Sequence, residues 1–162
     1  MALILYYSFR LPQQIIERGH HTITRMSSVK PLREVVKRLG DTFNDPQIRE
    51  SSYFDLYDDS VIIHGFSSNH PTNKEGLKKF IYLLWKAFPD IKITFEDIIV
   101  EGNKVVCRYN LAGTHRGEFV NLQPTEKQFS VDGITIFSFR DTKVIERWNL
   151  VDMMSLMEQL RA

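Results

Sequence analysis

Asp132 is the side chain best placed to do chemistry. It lies between Val131 and Gly133 in an otherwise apolar run. A carboxylate in a mostly buried strand is costly unless it is paired or functional. Two roles fit: a general base or ligand contact, or the buried partner of Arg108 or Arg147 across a sheet. His115 ends a strand and shares the alternation of Val105, Cys107, Tyr109 and Leu111. That alternation aims it at a pocket mouth, where it could donate to an oxyanion or orient Asp132. Its other role is to fix the following loop by bonding backbone. His64 precedes Gly65 on a short strand near a sheet edge, and ligand contact and a structural role are both open. No carboxylate or Cys stands at ligand spacing to His64 or His115, so the two do not predict a metal site. Trp148 reads as pocket wall or core, and Glu146-Arg147 as a cross-strand ion pair. Asp152 reads as the cap of the last helix. His70 heads Pro71 in a loop and is expected to be exposed.

These residues have to be positioned by a recognisable series of elements. Leu32, Val35, Val36, Leu39 and Phe43 recur at helical spacing after Pro31. A second short helix is expected through Ile48, Tyr53, Leu56 and Tyr57, broken by Asp58-Asp59-Ser60, with a short strand from Val61 to Phe66. Thr72 and Glu75 form a T-x-x-E capping box. Behind it, Leu77, Phe80, Ile81, Leu84, Trp85 and Phe88 make the strongest amphipathic helix in the chain. Four strands follow, over 91–101, 105–114, 129–140 and 144–151, with tight turns at Glu101-Gly102-Asn103-Lys104 and Asp141-Thr142. Met153, Met154, Leu156, Met157 and Leu160 form a final helix. Helices first and an antiparallel meander later predict an α+β fold rather than a parallel α/β sheet.

Composition narrows the function classes. The 162 residues suit one domain. With 43% hydrophobic residues the chain can fill a core without disulfides or a structural metal. Lys+Arg is 21 and Asp+Glu is 20, and the net charge of +1 gives no electrostatic reason to expect nucleic acid or an anionic membrane. The single Cys107 cannot form an internal disulfide and fits a reducing compartment. The chain shows no targeting signal, and a cytoplasmic location is the resulting expectation. Residues 1–28 read as a poorly fitting leader or arm, with Met26 as an alternative start, and residues 29–162 as the domain. Apolar residues on both faces of several strands point to a homodimer.

Helix–helix–strand–helix followed by a strongly curved antiparallel meander is the element order of the nuclear-transport-factor-two-like fold. Within it the chain resembles the SnoaL-like polyketide cyclases. The resemblance rests on His64-Gly65, on Phe88-Pro89-Asp90-Ile91 leading to Glu101-Gly102-Asn103, and on Gly113-Thr114-His115-Arg116-Gly117-Glu118-Phe119. Pro124-Thr125, Lys143-Val144-Ile145-Glu146-Arg147-Trp148, Asp152 and Leu156 through Gln159-Leu160 complete it. These marks run in family order from about Lys30 to Leu160. The chain departs where the family commonly has Gly after Pro-Thr, having Glu126, and where the family has Asp-Gly-Lys, having Asp141-Thr142-Lys143.

The resemblance implies a cone-shaped, curved sheet packed on N-terminal helices around an apolar pocket. It also implies acid–base chemistry that needs no metal or organic cofactor. In the family's cyclases a pocket aspartate serves an intramolecular aldol closure, and Asp132 is the best match here. Removing a proton beside a ketone needs a base near the carbon and a donor near the developing enolate oxygen. Asp132 as base, His115 as donor or orienter, and His64, Trp148, Phe119, Trp85 and Tyr109 as ligand-contacting residues form the expected site. The expected ligand is a small hydrophobic carbonyl compound. The competing class is a binding or assembly module on the same fold, because fold alone does not fix function.

Overall fold

The computed structural model describes residues 31–65 and 72–162. The leader expected over residues 1–28, and His70, lie outside the described residues. Helix α1, over residues 31–44, buries Leu32, Val36, Leu39 and Phe43 as its apolar stripe requires. A short helix α2 (Arg49–Ser52) and a 3-10 turn (Tyr53–Leu56) lead into strand β1 (Tyr57–Ile63). Then come α3 (Lys74–Ala87), β2 (Lys92–Glu101), β3 (Lys104–Thr114), β4 (Gln128–Arg140), β5 (Lys143–Val151) and α4 (Met153–Arg161).

The five strands form one mixed sheet in the order β1-β5-β4-β3-β2. β1 runs parallel to β5, and every other neighbouring pair is antiparallel. One face of the sheet is buried against the helices, and among the described residues nothing covers the other. β2 is an edge strand, and α1 covers its exposed backbone. Asn44 accepts from the Ile93 N–H at 2.7 Å and donates to the Ile93 carbonyl at 2.8 Å, as a neighbouring strand would. Arg33 donates to the Ile98 carbonyl at 2.6 Å. An edge occupied in this way is a poor template for further pairing.

Three local expectations shift. The Asp58-Asp59-Ser60 run does not precede the strand; it lies inside β1, which begins at the buried Tyr57 paired with Val144. Asp58 accepts from both the N–H and the hydroxyl of Ser60, and this local bonding accompanies the irregular β1–β5 register rather than ending the strand. The strand also stops at Ile63, short of Phe66. The cap of α3 is Asn73, whose side chain accepts from the Gly76 N–H at 3.0 Å, one residue past the expected Thr72. Asp152 caps α4, accepting from the Ser155 N–H at 2.9 Å. Glu126 takes φ +57°. A left-handed turn at this position explains why glycine is common there in the resembling family, and a non-glycine residue holds it at a cost of ~1 kcal/mol.

A bulge in β5 matters most for the site. Ser138 pairs with Glu146 and Phe139 with Val144, which leaves Ile145 as an extra residue in β5. Because side chains alternate along a strand, one inserted residue exchanges the faces beyond it. Val144 faces the core, and after the bulge Arg147, Asn149 and Val151 do so, while Glu146, Trp148 and Leu150 turn outward.

Candidate functional site: an arginine-walled apolar cavity

The buried face of the sheet and the helices enclose a cavity of about 60 Å³. Most of its wall is apolar, with Phe43 from α1, Phe80 and Leu84 from α3, Phe95 from β2 and Phe137 from β4. It adjoins a roomier vestibule of about 410 Å³, and Phe80, Phe119, Arg147, Asn149, Val151 and Met153 line both spaces. Phe119 reaches this position because its loop is pinned to the end of α3. The Arg116 and Gly117 N–H groups both donate to the Ala87 carbonyl, at 2.8 and 2.9 Å. Any Cβ on Gly117 would come within 2.5 Å of the Lys86 carbonyl oxygen, so this close approach requires glycine.

Polar groups cluster on one wall around Arg147, which is only 9% exposed. Its Nε donates to Thr135 Oγ1 at 3.3 Å, Nη1 to the Tyr57 hydroxyl at 3.4 Å and Nη2 to Asn149 Oδ1 at 3.1 Å. Its guanidinium also lies 5.6 Å from the centre of the Phe137 ring. Among the described residues no carboxylate pairs with it. Asn149 Oδ1 also accepts from the Tyr109 hydroxyl at 3.0 Å, and the Tyr53 and Tyr57 hydroxyls are 2.9 Å apart. Burial opposes the charge on Arg147, but the oxygens of Tyr57, Tyr53 and Tyr109 favour it and hold the group above its ordinary guanidinium value. Burial pushes the Tyr57 phenol well up and Tyr109 up, against the pull of Arg147. The site at neutral pH is therefore a charged guanidinium among neutral hydroxyls.

Gly133 makes this arrangement possible. It sits opposite Tyr109 in the β3–β4 register. A Cβ there would lie 2.3 Å from Tyr109 Cζ and 2.4 Å from its hydroxyl oxygen. Only a bare Cα lets the phenol lie across β4 and reach Asn149 on β5.

The structure separates the residues expected from sequence. Tyr109 and Phe119 line the cavity. Asp132 does not: it is exposed on the outer face of β4, where its Oδ1 accepts from Asn110 Nδ2 at 3.1 Å. Neither Arg108 nor Arg147 reaches it. Arg108 instead pairs on the surface with Asp97 and Glu96. His115 is fully buried, with Nδ1 3.0 Å from Thr125 Oγ1 and its ring tilted against Phe88. Its backbone accepts from the Glu126 N–H, while its own N–H donates to the Lys127 carbonyl, which is the loop-fixing arrangement. It lines neither the cavity nor the vestibule. His64 lines the vestibule at the sheet's edge, with Nε2 2.8 Å from Glu146 Oε1 and its ring stacked 4.8 Å from Trp148.

Trp148 faces outward beneath Lys104 rather than into the cavity, because the β5 bulge turns it away. Glu146 pairs with His64, not with Arg147. Trp85 is buried in an aromatic cluster with Phe43, Tyr53, Phe54 and Tyr82, and Arg49 lies over its ring. It fills core rather than lining the cavity. The residues that sequence reasoning missed are Arg147 in this role, Asn149 and Thr135. Gly133, an isolated glycine inside a strand, was a legible sign of the close approach of Tyr109, but it did not point to these three.

A family model described as SnoaL-like polyketide cyclase matches residues 33–160. Among solved structures, AclR from Streptomyces galilaeus, a proposed hydroxylase, superposes with a TM-score of 0.74 at 24% identity, covering 83% of this chain and 83% of that one. A proposed SnoaL-like polyketide cyclase from Jannaschia sp. CCS1 superposes at 0.70 with 25% identity, over 82% of this chain and 93% of its own. IdmH from Streptomyces antibioticus, a proposed polyketide cyclase, gives 0.68 at 25% identity, over 80% and 98%. No curated protein matches the chain.

Proposed function

This chain belongs to the SnoaL-like polyketide cyclase family, and from that premise we propose that it draws a small hydrophobic carbonyl compound into its cavity and performs acid–base chemistry on it with its own side chains. The reaction would be of the cyclase, isomerase or hydrolase type. One observation carries this reading: a buried guanidinium, with no carboxylate partner among the described residues, faces a largely apolar cavity. Removing a proton beside a carbonyl leaves negative charge on oxygen, and a fixed cation in a dry site meets that charge without reorganising. The proton acceptor in this reading is His64, at the rim where the vestibule opens. Glu146 on Nε2 would hold the ring as the tautomer whose Nδ1 accepts.

A second reading, a non-catalytic carrier of the same ligands, is favoured by the inner cavity itself. Among the described residues, neither carboxylate nor imidazole lines it. Exchange of ketone α-protons in D2O, followed by NMR with a panel of aromatic ketones, separates the two. Catalysed exchange that falls about a hundredfold in Arg147→Gln, and also falls in His64→Ala, fits the enzyme. Ligand-induced shifts at Tyr109 and Asn149 without catalysed exchange would leave only the carrier.

We also propose that the protein is a homodimer joined through the outer face of the sheet. Ile62, Ile99, Ile134 and Leu150 are 49%, 63%, 51% and 76% exposed there, more apolar surface than an isolated sheet face usually shows water. Sedimentation velocity at micromolar concentration is the check, and a monomer mass would overturn the assignment.

A further inference from the structure

The hydrogen bonding of Arg147 is incomplete in a specific way. A guanidinium carries one N–H on Nε and a pair on each Nη. Nε is used by Thr135, one N–H of Nη1 by Tyr57 and one of Nη2 by Asn149. That leaves one N–H on each Nη without a partner among the described residues. Donors left free on both Nη atoms of one planar group can meet two oxygens of one acceptor, as in the bidentate fork that arginine makes with carboxylates. A lone ketone oxygen would occupy that fork poorly.

Charge points the same way. The neighbours of Arg147 are neutral at ordinary pH: Thr135, Asn149, and the phenols of Tyr57 and Tyr109, which burial keeps protonated. A desolvated cation without a counter-charge is unfavourable, and breaking up a buried pair is costly because it leaves such a charge behind. A neutral ligand would seal the cavity and deepen this desolvation. An anionic ligand would cancel it.

The dimensions add a constraint. The inner cavity is about 60 Å³ and the vestibule about 410 Å³, and Arg147 lines both. The inner space admits a small oxygenated group. The body of a ligand would lie in the vestibule against Phe80, Leu83, Phe119, Val120 and Met153.

We propose that the ligand of this cavity is a hydrophobic monoanion whose charge is shared between two oxygens, a carboxylate or the enolate of a 1,3-dicarbonyl, seated on the two unbonded N–H groups of Arg147. This rests on the reading that the cavity binds a hydrophobic carbonyl compound, and it narrows that class to members that are charged when bound. The arrangement makes Arg147 a binding residue that selects against neutral analogues. Arg108 on the outer face differs in charge, since the carboxylates of Asp97 and Glu96 already compensate it.

The test compares three ligands with one aryl body: cinnamate, cinnamamide and benzylideneacetone. Binding is measured by calorimetry and mapped by NMR shifts at Tyr109, Asn149 and Val151. Cinnamate should bind at least about tenfold more tightly than the amide or the methyl ketone, the order of difference expected for a charge-assisted bidentate pair. Arg147→Gln should bring the three within about twofold of one another. Should that variant fail to fold, wild-type calorimetry in buffers of different ionisation enthalpy gives an independent answer. Cinnamate bound as the anion takes up no proton at pH 7, whereas about one proton per ligand means that the site holds the neutral acid and overturns the proposal. Benzylideneacetone binding as tightly as cinnamate overturns it too, while leaving the carbonyl-compound reading intact. If none of the three shifts the cavity residues, both fall together.

Discussion

The two faces of one sheet treat an arginine in opposite ways. On the outer face Arg108 stands in water and is matched by Asp97 and Glu96. Its hydrogen bond to Asp97 and the two negative charges hold it above its ordinary value against the cost of desolvation. On the inner face Arg147 is buried and, among the described residues, has hydroxyls and an amide around it but no acid. The first is ordinary surface pairing, weak and sensitive to salt. The second is a charge that the fold went to some length to place. It required the β5 bulge to bring Arg147 inward, Gly133 to let Tyr109 pass, and Asn149 to hold both Tyr109 and Arg147. Among the described residues this arrangement has no internal counter-charge, which is what the proposed anionic ligand would supply.

Gly133→Ala is the sharpest way to break the contrast. The new methyl group would lie 2.3 Å from Tyr109 Cζ and 2.4 Å from its hydroxyl oxygen, so the phenol must leave Asn149 or the strands must part. Overpacking of this kind costs about 1–3 kcal/mol of stability, to be read from urea unfolding. Losing the Tyr109–Asn149 bond would also free Asn149 and loosen Arg147, so cinnamate affinity should fall by about tenfold or more in protein that is still folded. The same substitution at Gly102 meets no neighbour within 4 Å but strains a left-handed φ of +58°, so it should lower stability by about 1 kcal/mol and leave cinnamate affinity unchanged. Unchanged affinity in Gly133→Ala would mean that Tyr109 does not support the arginine.

Much of the architecture was legible. Each long strand and the amphipathic α3 and α4 helices appear within a residue or two of where periodicity put them, because each has a long one-sided apolar pattern to bury. Alternation along β3 correctly sent Val105, Cys107, Tyr109 and Leu111 inward. The site was harder, for reasons that lie in β4 and β5. On β5, Val144, Glu146 and Trp148 share a parity, so plain alternation sends Trp148 inward with Val144 and leaves Arg147 outside. The bulge at Ile145 reverses this, and nothing in Lys143-Val144-Ile145-Glu146 announces it, since bulges are set by how two strands meet. On β4 the information was present. Phe129, Val131, Gly133, Thr135 and Phe137 form one face, and Ser130, Asp132 and Ile134 the other. The apolar residues on both sides of Asp132 made the strand look buried throughout, although Ile134 is half exposed.

Asp132 therefore offers the smallest expected effect and a strict test of the two-face picture. Its carboxylate lies on the outer face with Asn110, and Ser130 and Gln159 extend the same surface network from β4 to α4. From there it cannot touch a molecule seated on Arg147 across the thickness of the sheet. Asp132→Asn keeps the shape and can still accept from Asn110, so ligand affinity and α-proton exchange should stay within about twofold of wild type. The substitution removes only the charge, which is the property a general base needs. A loss of exchange of a hundredfold with affinity retained would place chemistry on the outer face. The buried arginine would then be a feature of the fold alone, and the outer face, not the cavity, would become the place to look for substrate.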